Sequence, residues 1–178
     1  MRTDATASLM RLLRQAQAEQ DAKPGCHQTG TSAPPEPSDD LEPLKRLAAT
    51  GDVEANLTLG NRFRRGLGGV EIDLAAAWNH YVTAARGGSL EAMTNIGVMH
   101  DQGQTVPPDP VKASRCYDYA AQRGFAVAQY NLGIMYAQGT GVAQDPAQAL
   151  HWFAAAATQG YHPAVEAYDW LSAQQESG

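Results

Sequence analysis

A repeat constrains this chain more than any other feature. "GDVEANLTLGNRFRRGLGGVEIDLAAAWNHYVTAARG" begins at Gly51, "GSLEAMTNIGVMHDQGQTVPPDPVKASRCYDYAAQR" at Gly88 and "GFAVAQYNLGIMYAQGTGVAQDPAQALHWFAAAATQ" at Gly124. Gly160 then opens "GYHPAVEAYDWL". The period is 37 residues, then 36, the extra residue lying in the glycine turn of the first copy. The register holds at Ala55, Ala92, Ala128 and Ala164, at Gly60, Gly97 and Gly133, and at Gly66, Gly103 and Gly139. It continues through Val70, Val106 and Val142, then Asp73, Asp109 and Asp145, then Ala77, Ala113 and Ala149. Tyr81, Tyr117 and Phe153 and the alanine pairs at 84/85, 120/121 and 156/157 complete the unit. A fixed period of this length marks stacked supersecondary units, each burying a face against its neighbours. Gly139-Thr140-Gly141, read alone ahead of a helix, would suit a phosphate cradle of free backbone N–H groups. A phosphate loop occurs once, however, and this turn recurs. No Lys-Ser or Lys-Thr follows it, and the second copy, with Gln104-Thr105, lacks the second glycine.

Each unit reads as two helices. In the first, Ala128, Leu132, Met135 and Tyr136 fall at helical spacing and share one face. A mid-helix glycine costs about 1 kcal/mol against alanine, so Gly60, Gly97 and Gly133 predict a close approach between helix backbones. Gly139 stops the helix. The second helix starts at Asp145-Pro146, as at Asp109-Pro110. There the carboxylate accepts orphan N–H groups, and proline gives up a donor that had no partner. Asp73 repeats the cap without the proline. Ala149, Trp152, Phe153, Ala156 and Ala157 form the packing stripe. Aspartates recurring at one period are better explained as caps than as an acid/base pair.

"DPAQALHWFAAAATQG", with "AQYNLGIMYAQGTGV" before it, resembles the Sel-1-like repeat, a relative of the tetratricopeptide repeat. The resemblance covers residues 41 to about 174 and implies an all-α fold, a right-handed α-α solenoid of helix pairs. Its repeats would span about 51–87, 88–123 and 124–159, within a domain of residues 41–176. "LEPLKRLAATG" (41–51) would be the N-terminal cap and 162–174 the C-terminal cap helix, with Tyr168 and Leu171 turned inward. The third copy matches best. The second departs, with His100 in the aromatic slot and Cys116 in the tryptophan slot. The first has His80 in that slot and an indole at Trp78.

Residues 1–40 differ in composition. A short helix is possible over 5–20, with Leu9, Leu12, Leu13 and Ala16 on one side and Arg11 and Arg14 flanking. Residues 21–40, rich in Pro, Gly and Ser, read as a flexible linker. The apolar run is too short for a secretion signal or a membrane span. A docking element, a weak surface anchor and a weakly ordered start all remain open.

Two cysteines, Cys26 and Cys116, make no disulfide framework. The cysteine-rich secreted members that the resemblance brings in bridge paired helices within each repeat. That pairing is missing here, which favours a reducing, cytoplasmic compartment. Cys26-His27, His100-Asp101 and His151 form no close set of three ligands, so no metal site or cofactor is expected. No Gly-x-Ser-x-Gly or oriented Cys/His pair marks a nucleophile. The net charge of −6 argues against nucleic acid. Charge is uneven: Arg62, Arg64 and Arg65 cluster in the first repeat, and no Lys or Arg follows Arg123.

These observations point to a non-catalytic adaptor that binds a protein or peptide on the concave face of the solenoid. By resemblance to tetratricopeptide grooves, the face would be lined by Glu54, Asn61, Arg64 and Arg65 from the first copy. Asn95, Val98, Asp101 and Gln102 would follow, then Tyr130, Asn131, Ile134 and Gln138. Asn95 and Asn131 share a column, where an amide can meet a partner's backbone or make a local interhelix bond. Arg64 and Arg65 suit an acidic partner, though solubilising the helix end is the other role open to them. The alternative, drawn only from bacterial relatives, is binding or hydrolysis of cell-wall or β-lactam compounds. Self-association through an incompletely capped end is a third reading.

Overall fold

A computed structural model of the chain describes residues 41–105 and 107–176. The possible helix at 5–20 and the linker at 21–40 lie outside the described residues. Among the described residues there are eight α-helices and no β-strand. α1 is Leu41–Ala49, α2 Val53–Arg65, α3 Leu74–Arg86 and α4 Leu90–Gln102. α5 is Pro110–Ala121, α6 Ala126–Gln138, α7 Pro146–Ala157 and α8 His162–Glu176. Each helix packs most closely on the next in sequence, with lesser contacts between first helices of neighbouring repeats such as α2 and α4, as in an α-solenoid whose repeats contact their neighbours.

Local chemistry fixes where these helices start and stop. The aspartate column caps the second helix of every repeat. Asp73 accepts from the Ala76 N–H at 2.9 Å and Asp109 from the Lys112 N–H at 3.0 Å. Asp145 accepts from the N–H groups of Ala147 and Gln148. Asp52 and Ser89 cap α2 and α4 in the same way, whereas Phe125 heads α6 without a side-chain cap. The column Gly66, Gly103 and Gly139 ends the first helices in the left-handed conformation, each glycine N–H returning to a carbonyl of the last turn. The loops that follow are pinned by one recurring bond. The cap's own N–H donates back to Phe63, His100 or Tyr136, at 2.9, 2.8 and 2.9 Å respectively.

The mid-helix glycines hold the repeat together, but not by bringing two backbones together as their cost suggests. A Cβ on Gly60 would lie 2.6 Å from the Tyr81 ring, one on Gly97 2.6 Å from Tyr117, and one on Gly133 2.6 Å from Phe153. Each glycine is thus the seat for the aromatic ring of the following helix. Those rings are buried, with Tyr81 and Phe153 at 0% exposure. The core lies around them: Tyr81 with Leu57, Ala77, Ala92, Ile96 and Met99, and Tyr117 with Val98, Ala113, Ala128, Leu132 and Met135. A buried polar clasp adds to it. Asn56 Nδ2 donates to the Ala48 carbonyl at 2.9 Å, and Gln129 Nε2 in the same column donates to the Ala121 carbonyl at 3.1 Å.

The end helix differs from expectation. In α8, Ala164 and Ala167 are the buried residues, Leu171 is half-buried, and Tyr168 stands 37% exposed instead of turning inward. Its column-mate in α6, Leu132, is covered from two sides, by α5 before it and α7 after it; no second helix follows α8 among the described residues.

Candidate interaction face

The first helices of the repeats, α2, α4 and α6, carry the side chains proposed from sequence, and the last turn of α2 shows what they do. Arg62, Arg64 and Arg65 lie there, where cations suit the negative end of the helix dipole. The Tyr81 ring passes over Gly60, so its hydroxyl emerges on this side of α2. It donates to Asn61 Oδ1 at 2.8 Å, and Arg64 hydrogen-bonds the same hydroxyl. Burial pushes the Tyr81 phenol above its ordinary range, and the Arg64 charge opposes that shift. Asn95 Nδ2, from α4, reaches across to Asn61 Oδ1 at 3.4 Å, while Asn61 Nδ2 donates to Glu91 Oε1 at 3.4 Å. The result is a polar knot across the α2–α4 boundary, built from Asn61, Arg64, Tyr81, Glu91 and Asn95.

The knot does not recur. The column of Asn61 holds Val98 and Ile134 in the later copies, and the column of Arg64 holds Asp101 and Ala137. Burial raises the Asp101 carboxyl above the usual range although part of its side chain still meets solvent. The Tyr117 phenol, held up chiefly by burial, also feels the Asp101 charge. In the third copy Phe153 has no hydroxyl to present. The same face is therefore basic and amide-rich at α2, acidic at α4 and apolar at α6.

Of the residues proposed from sequence, Glu54, Asp101 and Gln102 are exposed. Asn61, Arg64, Arg65, Asn95, Ile134 and Gln138 are half-buried. Val98, Tyr130 and Asn131 are buried, at 8%, 1% and 6% exposure, and are corrected to core positions. Val98 packs in the cluster around Tyr117, and the Tyr130 ring lies against Phe153 and Tyr161. A partner cannot reach these side chains without repacking the stack. Tyr81 and Glu91 were missed. Tyr81 was assigned wholly to packing, and only its hydroxyl, absent from Phe153, signalled a second role. Glu91 lies one helical turn before Asn95 and carried the signal of position alone.

Burial pushes the Cys116 thiol up, opposite to what a nucleophilic cysteine requires. His80, in the tryptophan slot, is lowered by burial, stacks on Phe63 at 5.6 Å and hydrogen-bonds Asn56 Oδ1 through Nδ1. Among the described residues no group of three or more His, Cys, Asp or Glu can hold a metal ion, and no helix is long and apolar enough to cross a membrane.

The Sel1 repeat pattern matches residues 53–89, 90–125 and 126–161, in register with the three helix pairs. The chain belongs to the Sel1 repeat family. A Sel1 repeat protein of Oxalobacter formigenes is 37% identical over 74% of this chain and 98% of its own, with a TM-score of 0.66. A second solved structure is c5321, a protective antigen of uropathogenic Escherichia coli with an SLR fold. It is 33% identical over 77% of this chain, with a TM-score of 0.66, and the chain spans 34% of its length. No curated protein sequence matches the chain. Sel1 repeats are generally protein-interaction modules and typically non-catalytic scaffolds.

Proposed function

We propose that this chain is a non-catalytic adaptor of the cytoplasm that binds a protein or peptide along the face formed by α2, α4 and α6. One contrast supports this reading. Columns with a packing role keep their residue from copy to copy: the ring seats, the αL glycines and the capping aspartates. Columns on this face change chemistry at each step, as in Arg64, Asp101 and Ala137 or Arg65, Gln102 and Gln138. A surface that the fold leaves free to vary, yet that keeps exposed polar groups such as Glu54, Asp101 and Gln102, suits recognition. The order of charge along it favours a partner that presents acidic groups to α2. A half-buried thiol that is unpaired, Cys116, fits a reducing compartment.

The test compares purified wild type with Arg64→Glu/Arg65→Glu in pull-downs, each checked for helicity by circular dichroism. A specific partner retained by wild type and lost by the variant at low salt supports the reading. Equal retention removes the arginines from the interface. Turnover of nitrocefin by the purified chain would replace the adaptor reading with the β-lactam one.

A further inference from the structure

The polar knot of the first repeat has an open counterpart in the second. Its five columns, filled there by Asn61, Arg64, Tyr81, Glu91 and Asn95, read Val98, Asp101, Tyr117, Val127 and Asn131 one copy later. The ring is seated alike. A Cβ on Gly97 would lie 2.6 Å from Tyr117, as one on Gly60 would from Tyr81, so the Tyr117 hydroxyl emerges on the matching side of α4. Its surroundings there have changed. Val98 has no oxygen to accept from it, as Asn61 accepts from Tyr81, and Asp101 stands where Arg64 donates to the Tyr81 hydroxyl. Tyr117 is 3% exposed and its hydroxyl makes no hydrogen bond among the described residues, yet unlike that of Tyr161 it is not sealed from solvent. Such a phenol is uncommon, because the hydration it loses is not replaced. Asp101 is exposed and equally unserved, with no ion pair or hydrogen bond among the described residues. It sits in the last turn of α4, at the negative end of the helix dipole. Partial burial raises its carboxyl, and no cation among the described residues offsets that. Packing gives no reason for a carboxylate here, since the same column holds Arg64 and Ala137.

We propose that Asp101 and Tyr117 form a subsite for an arginine side chain of the partner, whose guanidinium pairs with the Asp101 carboxylate and donates to the Tyr117 hydroxyl oxygen. The first repeat supplies the precedent, because there the chain's own Arg64 guanidinium serves a phenol held in the same way. A guanidinium carries five N–H donors in a planar fork, enough for both carboxylate oxygens and a hydroxyl at once. An ammonium is a point charge without that shape. The subsite rests on the interaction face proposed above and deepens it: the partner that offers acidic groups to α2 offers a cation to α4, one repeat further on. Opposite charges a repeat apart fix the register and direction in which that partner lies along the face.

Two measurements on the full chain test the subsite. In the first, N-acetyl-arginine amide is titrated into wild type, Asp101→Asn and Tyr117→Phe at matched ionic strength, and the backbone amide signals of Asp101 and Gln102 are followed by NMR. Wild type should show saturable shifts that vanish in Asp101→Asn and weaken several-fold in Tyr117→Phe. N-acetyl-citrulline amide, which has the same shape without the charge, should give no saturable shift. Failure of arginine to saturate the signal, or an equal response to citrulline, overturns the proposal. So does a loss confined to Asp101→Asn, which is the mark of an ordinary surface ion pair. Phe153 fills this column in the third copy, so Tyr117→Phe keeps the seat filled. In the second measurement, Asp101→Arg is made in wild type and in Tyr117→Phe, placing the chain's own guanidinium where Arg64 stands over Tyr81. Removing a carboxylate from the helix end raises Tm in both backgrounds, so only the part that depends on the phenol reports the contact. The gain should be larger by a few degrees with Tyr117 present. Equal gains in both backgrounds overturn the subsite. Neither measurement needs the partner, and neither alters α2, so failure here is distinct from failure of the pull-down.

Discussion

Replacing Gly133 by alanine sets two effects of known size against each other. Helix propensity favours the change by about 1 kcal/mol. Space opposes it: the new Cβ would lie 2.6 and 2.7 Å from two carbons of the Phe153 ring and 3.3 Å from the Ala149 carbonyl oxygen. Carbon atoms rest at about 3.5–4.0 Å, so the ring must retreat by about 1 Å. It has little room to do so, being at 0% exposure with Tyr130 at 5.8 Å on another side. Overpacking of this kind costs about 1–3 kcal/mol. The net expectation is a loss of about 1 kcal/mol, or roughly 4 °C in Tm. Urea and thermal denaturation followed by circular dichroism measure it. The double variant Gly133→Ala/Phe153→Leu should then lose less than the sum of its parts, with a coupling of about 1 kcal/mol. Gly60→Ala should cost more than Gly133→Ala, because the Tyr81 ring is tied at its tip to Asn61 and cannot slide without breaking that bond. A Gly133→Ala protein more stable than wild type, or a strictly additive pair, would refute the ring-seat account.

The remaining expectations follow from single contacts. Asp145→Ala removes the acceptor of two N–H groups and should lower stability by about 0.5–2 kcal/mol in urea titrations, with helicity retained. Tyr81→Phe removes the hydroxyl from the polar knot and should cost about 0.5–1.5 kcal/mol while leaving the seat filled; a larger loss with altered far-ultraviolet signal would point to a packing role instead. Asp109 is held below the ordinary carboxylate range by the Lys112 backbone N–H and then by the Lys112 side chain. Its folded pKa is depressed, so its stabilising effect is present above the unfolded value of about 3.9 and lost as pH falls through the folded value. Asp109→Asn should flatten that part of the acid denaturation curve. Tyr161 is pushed up to about 12 by burial, and burial also raises Tyr130. Their effect on stability is present below the unfolded phenol value of about 10 and lost as pH rises through the folded one. Ultraviolet titration should show these phenols ionising late, and Tyr161→Phe should extend the alkaline limit of folding.

What was legible in the sequence is what is local. A cap needs only a short acceptor ahead of a helical pattern, and an αL stop needs only glycine, so Asp73, Asp109, Asp145, Gly66, Gly103 and Gly139 were readable from their positions. The seat glycines showed that something approaches closely, but a helical period does not say whether that neighbour is backbone or ring. Burial on the interaction face was harder still. The resemblance to tetratricopeptide grooves puts Tyr130 on the face, yet it and its column-mates Leu57 and Thr94 are buried, the latter two at 7% and 3% exposure. An apolar Leu57 in the first copy was the available warning. The polar knot lies beyond such reading, because it joins α2, α3 and α4 through side-chain tips whose meeting depends on how far Tyr81 reaches over Gly60.

The column logic also bears on how far the repeat can propagate. α8 carries Ala164 where α6 has Ala128, so Tyr168 stands in the column of Leu132 and Asp169 in that of Gly133. A ring placed there as Phe153 is placed over Gly133 would have to bury the Asp169 carboxylate, and burying an unpaired charge is strongly unfavourable. The same obstacle meets a second copy docking end to end. The Asp52 N–H bonds the Leu47 carbonyl as the Ser89 N–H bonds that of Ala84, which puts Leu44 of α1 in the ring column. An α1 offered in register to α8 would thus set Leu44 on Asp169, an apolar side chain on a charge. In-register stacking of copies is disfavoured at the ring contact that recurs in every internal repeat. The face formed by α2, α4 and α6 does not depend on that contact, and association through it is left to partners whose chemistry matches its own.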